Sequence, residues 1–177
     1  MSRTTVYRVV TNGDVVAFGD AYCAPAVAPI IWEWLYLRYD CRSPGHKYGC
    51  LQDAAGMEKL WRLPDTASMK RKDKVLLVFT LERVWFKRER LEELSRDLRE
   101  FYEEHGFTSG FFDPPTRVKD TLIEVAAMLD KLRDDPDCRG AAFNQTSVSD
   151  TWHAPEDRCA NVDSDESVFE AGEWLDK

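Results

Sequence analysis

Along this chain of 177 residues the apolar positions change period several times, and each change marks a candidate element. Val6-Tyr7-Arg8-Val9-Val10 and Val15-Val16-Ala17-Phe18 are rich in β-branched and aromatic residues, with Thr11-Asn12-Gly13-Asp14 between them. Asn-Gly suits the two positive-φ positions of a type I′ turn, so the segment predicts a β-hairpin. Pro25 or Pro29 then opens a helix, because the first turn has no use for the missing N–H. Ile30, Trp34 and Leu37 fall on one stripe, and Ile31, Leu35 and Tyr36 widen it. Only Glu33 and Arg38 interrupt this apolar surface, which predicts a helix buried on most sides. Cys41 to Cys50 holds Ser43-Pro44-Gly45 and Gly49 and reads as a loop. A short amphipathic helix or turn follows, with Met57, Leu60 and Trp61 inward.

Pro64 to Asp73 is a polar, basic connection. Lys74-Val75-Leu76-Leu77-Val78-Phe79-Thr80 is an unbroken apolar run, read here as a central strand buried on both faces; its period alone leaves a buried helix as the other option. Arg83-Val84-Trp85-Phe86 extends this run or pairs with it. Residues 88–105 form an amphipathic helix with Leu91, Leu94, Leu98 and Phe101 on its core stripe. Glu92 and Arg96 stand four apart as a supporting pair, and Gly106 supplies the stop. The linker 107–116 contains Gly110 and Asp113-Pro114-Pro115. Val118, Leu122, Val125, Leu129 and Leu132 then keep helical spacing over 115–133. Gly140-Ala141-Ala142-Phe143 opens a last strand, 140–148, beside the hairpin. The expectation is an α+β fold, with a small, mostly antiparallel sheet packed against about three helices. Residues 1–150 would form one domain, and 151–177 an acidic tail or docking segment.

Composition supports a packed domain. Hydrophobic residues make up 44% of the chain and aromatics 12%, which is ample for one core. Five Cys, an odd number, and no apolar leader near Met1 favour reduced thiols and a cytoplasmic setting. The apolar stretch from Ala24 to Leu37 is broken by Pro25, Pro29 and Glu33, so no membrane span is expected.

Charge changes the picture more. The formal net charge is −8, but residues 1–90 carry 15 Lys and Arg against 10 Asp and Glu, while the remainder carries 9 against 22. Lys70-Arg71-Lys72-Asp73-Lys74 and Lys87-Arg88-Glu89-Arg90 could touch phosphates, yet interleaved acids and the net charge oppose nucleic acid, so none is expected as a direct partner. Residues 150–177 hold nine acids and two bases, with Phe169 and Trp174 among them. Acids mixed with aromatic rings can steer toward a basic surface and then anchor on it. Asp150, Glu156, Asp157, Asp163, Asp165, Glu166, Phe169, Glu170 and Trp174 are therefore the candidate partner-binding residues, and solvation of a polar tail is their plain alternative.

Other constellations are weaker. Cys41, His46 and Cys50 are zinc-type ligands in one loop, with Cys159 or His153 as a conceivable fourth, but the tight Cys-x₂₋₄-Cys spacing is missing. Ser147, Ser149, Asp150 and His153 follow the last strand, and a small hydrolase or transferase built on the polar cluster at 144–153 is the alternative to a binding role. No phosphate-binding loop, Gly-x-Ser-x-Gly or Cys-x-x-Cys occurs. No cofactor is implied, and no catalytic residue is assigned.

The strand Val6–Val10 with Asn12-Gly13, the Trp-rich helix Ile30–Tyr39, and Phe143-Asn144-Gln145-Thr146-Ser147-Val148-Ser149 resemble, across much of residues 5–150, small uncharacterised bacteriophage-encoded accessory proteins. That resemblance implies a non-enzymatic inhibitor of a host immunity complex, of the kind that includes anti-CRISPR proteins, which occupy nucleic-acid-binding surfaces. The functional expectation is a protein-binding module whose acidic surface engages a basic partner.

Overall fold

The computed structural model describes residues 3–22, 27–81, 84–105, 115–145 and 169–176. Strands β1 (Arg3–Val10) and β2 (Val15–Tyr22) form the expected hairpin. Its turn differs from the type I′ expectation. The Gly13 N–H donates to the Val10 carbonyl at 2.9 Å and the Val10 N–H to the Asp14 carbonyl at 3.0 Å, closing a three-residue loop. Gly13 alone takes a left-handed conformation, at φ 93°. Asn12 instead uses its side chain, accepting from the Asp14 N–H at 3.0 Å. A type I turn followed by a left-handed glycine is the usual three-residue solution.

The remaining elements are α1 (Val27–Arg38), α2 (Ala54–Arg62), α3 (Arg71–Phe79), β3 (Val84–Lys87), α4 (Leu91–His105), α5 (Pro115–Asp134), β4 (Cys138–Gln145), β5 (Phe169–Glu170) and the single turn α6 (Gly172–Leu175). The sheet runs β2-β1-β4-β3-β5. β4 lies beside the hairpin, antiparallel to β1 and β3, and only β5 is parallel to its neighbour β3. The fold is α+β.

One expectation is overturned. Lys74–Thr80 is not the central strand: residues 71–79 are helix α3, and the neighbour of β4 is β3. Every residue from Asp73 to Thr80 is buried. A helix enclosed on all sides has no polar face to impose a 3.6-residue period, so its sequence looks like a buried strand.

Val6, Ala141, Phe143 and Phe86 share one face of the sheet through their register. α3 reaches that face through Phe79, whose ring meets Phe143 edge-on at 5.0 Å. α5 reaches it at Gly19, where an added Cβ would lie 2.7 Å from the Met128 sulfur. α4 packs on α5 with Leu91, Leu94 and Leu98 fully buried. α1 lies against α2 and α3, and Trp32 donates its indole N–H to the Thr80 hydroxyl at 2.7 Å. Burial of α1 is close to the expectation, except that Leu37 is half exposed.

Candidate functional site

The sequence placed partner binding in the last 28 residues. Asp150, Glu156, Asp157, Asp163, Asp165 and Glu166 lie outside the described residues, as do Ser147, Ser149, His153 and Cys159. The backbone of Phe169 and Glu170 is β5, and that of Trp174 is in α6. This last stretch is tied into the fold. The Ala171 N–H donates to the Trp85 carbonyl at 2.9 Å, and Ala171 and Leu175 are buried. Arg71 donates to the Leu175 carbonyl, and Arg90 pairs with Asp176.

The Cys41–Cys50 loop is organised by a carboxylate that the sequence reading did not single out. Asp53 caps α2, accepting from the Gly56 N–H at 3.0 Å. It also accepts from the Tyr36 hydroxyl at 2.6 Å, the Ser43 N–H at 2.8 Å and the Ser43 hydroxyl at 2.6 Å. Burial would raise its pKa, but the bonds from Ser43, Tyr36 and Gly56 prevail and hold the carboxyl well below its usual range. The sequence signal for such a cap was Asp53 directly before an amphipathic helix. Glu33 of α1 accepts from the Cys50 N–H at 2.6 Å, so the loop is held from two sides.

Cys41 and Cys50 are buried thiols whose pKa values are raised, chiefly by that burial. The His46 ring sits 3.4 Å from the Gly49 carbonyl rather than with the thiols as a ligand set. Among the described residues no three His, Cys, Asp or Glu side chains form a metal-holding group, so Cys41, His46 and Cys50 are not brought together as the zinc alternative requires.

Four cations of the basic runs are engaged within the molecule. Arg71 pairs with Glu93 at 2.9 Å, Lys72 with Glu104, and Arg90 with Glu93 and Asp176. Arg88 donates to the carbonyls of Arg133 and Pro136, closing the C-terminal end of α5. Lys74 is buried. A shallow cavity of about 340 Å³ between α4 and α5 shows the same self-neutralisation. Its Arg99 and Arg133 both pair with Asp130, and Ser95 donates to that carboxylate at 2.8 Å. Asp130 is held below its usual pKa because the bonds from Arg99 and Ser95 outweigh burial, which acts to raise it.

The hairpin offers a surface of a different kind. β2 is an edge strand, and among the described residues nothing pairs with its outer side. Residues 11–18 are all exposed, with Val15 at 48%, Val16 at 53% and Phe18 at 38%. Exposed Asp14 and Asp20 bracket this apolar run. The only hint in the sequence was the loss of alternation in Val15-Val16-Ala17-Phe18, since a half-buried strand should alternate. The far side of the sheet carries Ala17, Tyr7, Ala142 and Trp85 in one row across β2, β1, β4 and β3.

No helix among the described residues is long and apolar enough to cross a membrane. Comparison with family models, with curated proteins and with solved structures found no match.

Proposed function

We propose that this chain is a non-enzymatic protein-binding module that engages a partner with a basic surface. One observation carries the reading: Arg71, Lys72, Arg88 and Arg90 are spent on the molecule's own carboxylates and carbonyls. Acidic groups such as Glu58, Glu92, Glu103, Glu124 and Asp137 remain exposed, and the chain carries a net charge of −8. A field of that sign repels polyanions and speeds encounter with polycations. A complex that handles nucleic acid offers such a basic surface, and the chain would then compete for it as an inhibitor. The segment 150–177 adds the carboxylates of Asp150, Glu156, Asp157, Asp163, Asp165, Glu166 and Glu170 to this surface, with Phe169 and Trp174 as apolar anchors. Buried free thiols at Cys41, Cys50 and Cys138 fit a reducing compartment such as the cytoplasm.

The test is capture of partners from a bacterial lysate on the immobilised chain, washed at stepped ionic strength. A specific partner should elute by moderate salt, and it should be lost when Asp150, Glu156, Asp157, Asp163, Asp165 and Glu166 are changed to Asn and Gln. Capture insensitive to both salt and these substitutions would refute the reading. Neutralisation is a cleaner test than truncation from Asp163, because removing Ala171 and Leu175 also removes buried contacts.

A further inference from the structure

We infer that β2 is the docking edge, and that it takes an extended segment of the partner as an added antiparallel strand with an apolar centre and a basic residue near each end. The inference rests on the partner-binding reading above and specifies the surface and the chemistry of what it meets.

An edge strand presents alternate backbone N–H and C=O groups outward, unpaired by the sheet. β2 is eight residues long, whereas β5 at the opposite edge has two. Natural edges are commonly blunted by lysine or proline. β2 has neither, and its sequence Val15-Val16-Ala17-Phe18-Gly19-Asp20-Ala21-Tyr22 exposes three large apolar side chains near the hairpin tip. The ladder with β1 shifts register between Val6 and Tyr7, so Phe18 is the extra residue of a bulge. The bulge bends the edge but leaves the outward groups of Val15–Ala17 on one run.

Charge chooses the occupant. Asp14 and Asp20 bracket the apolar centre; the bulge at Phe18 leaves five rungs between them, about 17 Å at strand rise, and sets them on opposite faces of the sheet. A second copy pairing antiparallel would stack the apolar runs, but it would bring a second set of the same two carboxylates to this edge. Like charges brought together across a strand pair destabilise it. A foreign strand with Lys or Arg at those positions turns both repulsions into attractions. The edge therefore selects against self-pairing and for a basic-ended partner segment. The rest of the hairpin is held independently of any guest: β1 is paired on both sides, and Arg8 meets Asp135 at the end of α5 at 2.9 Å.

The probe is the capped hexapeptide Lys-Ile-Val-Thr-Ile-Lys, whose lysines are five residues apart to match the bulged edge, titrated into the full chain at low salt while backbone amide resonances are followed. Saturable shifts confined to residues 14–22 are expected, with affinity about tenfold weaker for the same peptide with Glu at both ends. Replacing the central valine by proline should abolish the shifts, since proline cannot donate to the ladder. The double variant Val15→Lys/Val16→Lys changes only exposed side chains and should lose the peptide while keeping its thermal transition. Shifts elsewhere, no shifts at millimolar peptide, equal affinity for the Glu-ended peptide, or survival with proline would each overturn the inference. Concentration-dependent dimerisation blocked by Val15→Lys/Val16→Lys would assign the edge to a second copy instead. If a lysate partner elutes by salt yet still binds Val15→Lys/Val16→Lys unchanged, this inference fails and the acidic-surface reading stands. If no basic partner is captured, that reading fails, and the peptide titration still decides the edge.

Discussion

At the scale of single residues, Asp53 fixes more of the local structure than any other polar group described. It joins α1, the Cys41–Cys50 loop and the start of α2 through four accepted hydrogen bonds. Gly56 is part of this arrangement, because a Cβ there would lie 2.5 Å from the Asp53 carboxylate and 2.5 Å from the Tyr36 ring. Gly56→Ala should therefore cost about 1–3 kcal/mol in urea unfolding, although alanine is the better helix former. Asp53 also sets a pH dependence. Its pKa is lowered on folding, so its stabilisation is fully present above the ordinary carboxylate pKa of about 4 and is lost as pH falls through the folded value. Asp53→Asn should destabilise the chain at neutral pH and flatten the acid limb of a stability profile recorded between pH 2 and 7. A profile parallel to that of the native chain would show that Asp53 is not the titrating group. Tyr39 has a related role: burial and the neighbouring Asp73 push its pKa to about 12, and its hydroxyl donates to Asp73 at 2.6 Å while Arg38 pairs with the same carboxylate.

At the scale of elements, α4 and α5 were legible because each has one wet and one dry face, and a two-sided environment prints its period on the sequence. The hairpin was legible from the β-branched runs on either side of Asn12-Gly13. α3 was not legible. Its seven consecutive buried residues from Asp73 to Phe79 carry no period, and even a buried aspartate and lysine sit among them. β5 and α6 were equally hidden, being only two and four residues long. Their attachment depends on contacts 86 and 104 residues away, Arg90 with Asp176 and Arg71 with Leu175. Leu175→Ala should cost roughly 2 kcal/mol or slightly more, the low end for a buried leucine because the site is peripheral. Hydrogen exchange offers the sharper readout. The Ala171 amide should lose protection in that variant, while β1 and β4 amides keep theirs.

At the scale of the whole molecule, charge and the open edge act together. With a net charge of −8 the chain resists self-association at neutral pH, and that protection fades toward its isoelectric point near pH 5.0. Light scattering should rise as pH approaches 5, and Val15→Lys/Val16→Lys should suppress the rise by charging the edge of β2. Scattering unaffected by that variant would place the sticky surface elsewhere. The ion pairs of α3 and α4 are partly exposed, so each contributes little to stability, roughly 0–1 kcal/mol. Their larger consequence is to remove Arg71, Lys72 and Arg90 from the surface presented to a partner.

Much of the candidate site was only half written in the sequence. The acidic excess after residue 90 and the apolar run of β2 are both visible there, because composition and local pattern are properties of the chain itself. The α+β class is visible for the same reason, since one-sided burial repeats at helix or strand spacing. Three things needed the tertiary structure. It decided that Arg71, Lys72 and Arg90 meet carboxylates, because Arg71 finds Glu93 only when α3 lies against α4. It decided that 74–80 is helical, since burial on every side erases the local signal. It also decided that β2 lies at the edge of the sheet: a strand's own residues specify its pairing propensity, but its neighbours are chosen by the rest of the fold, and here β4 and β3 both took the other side of β1.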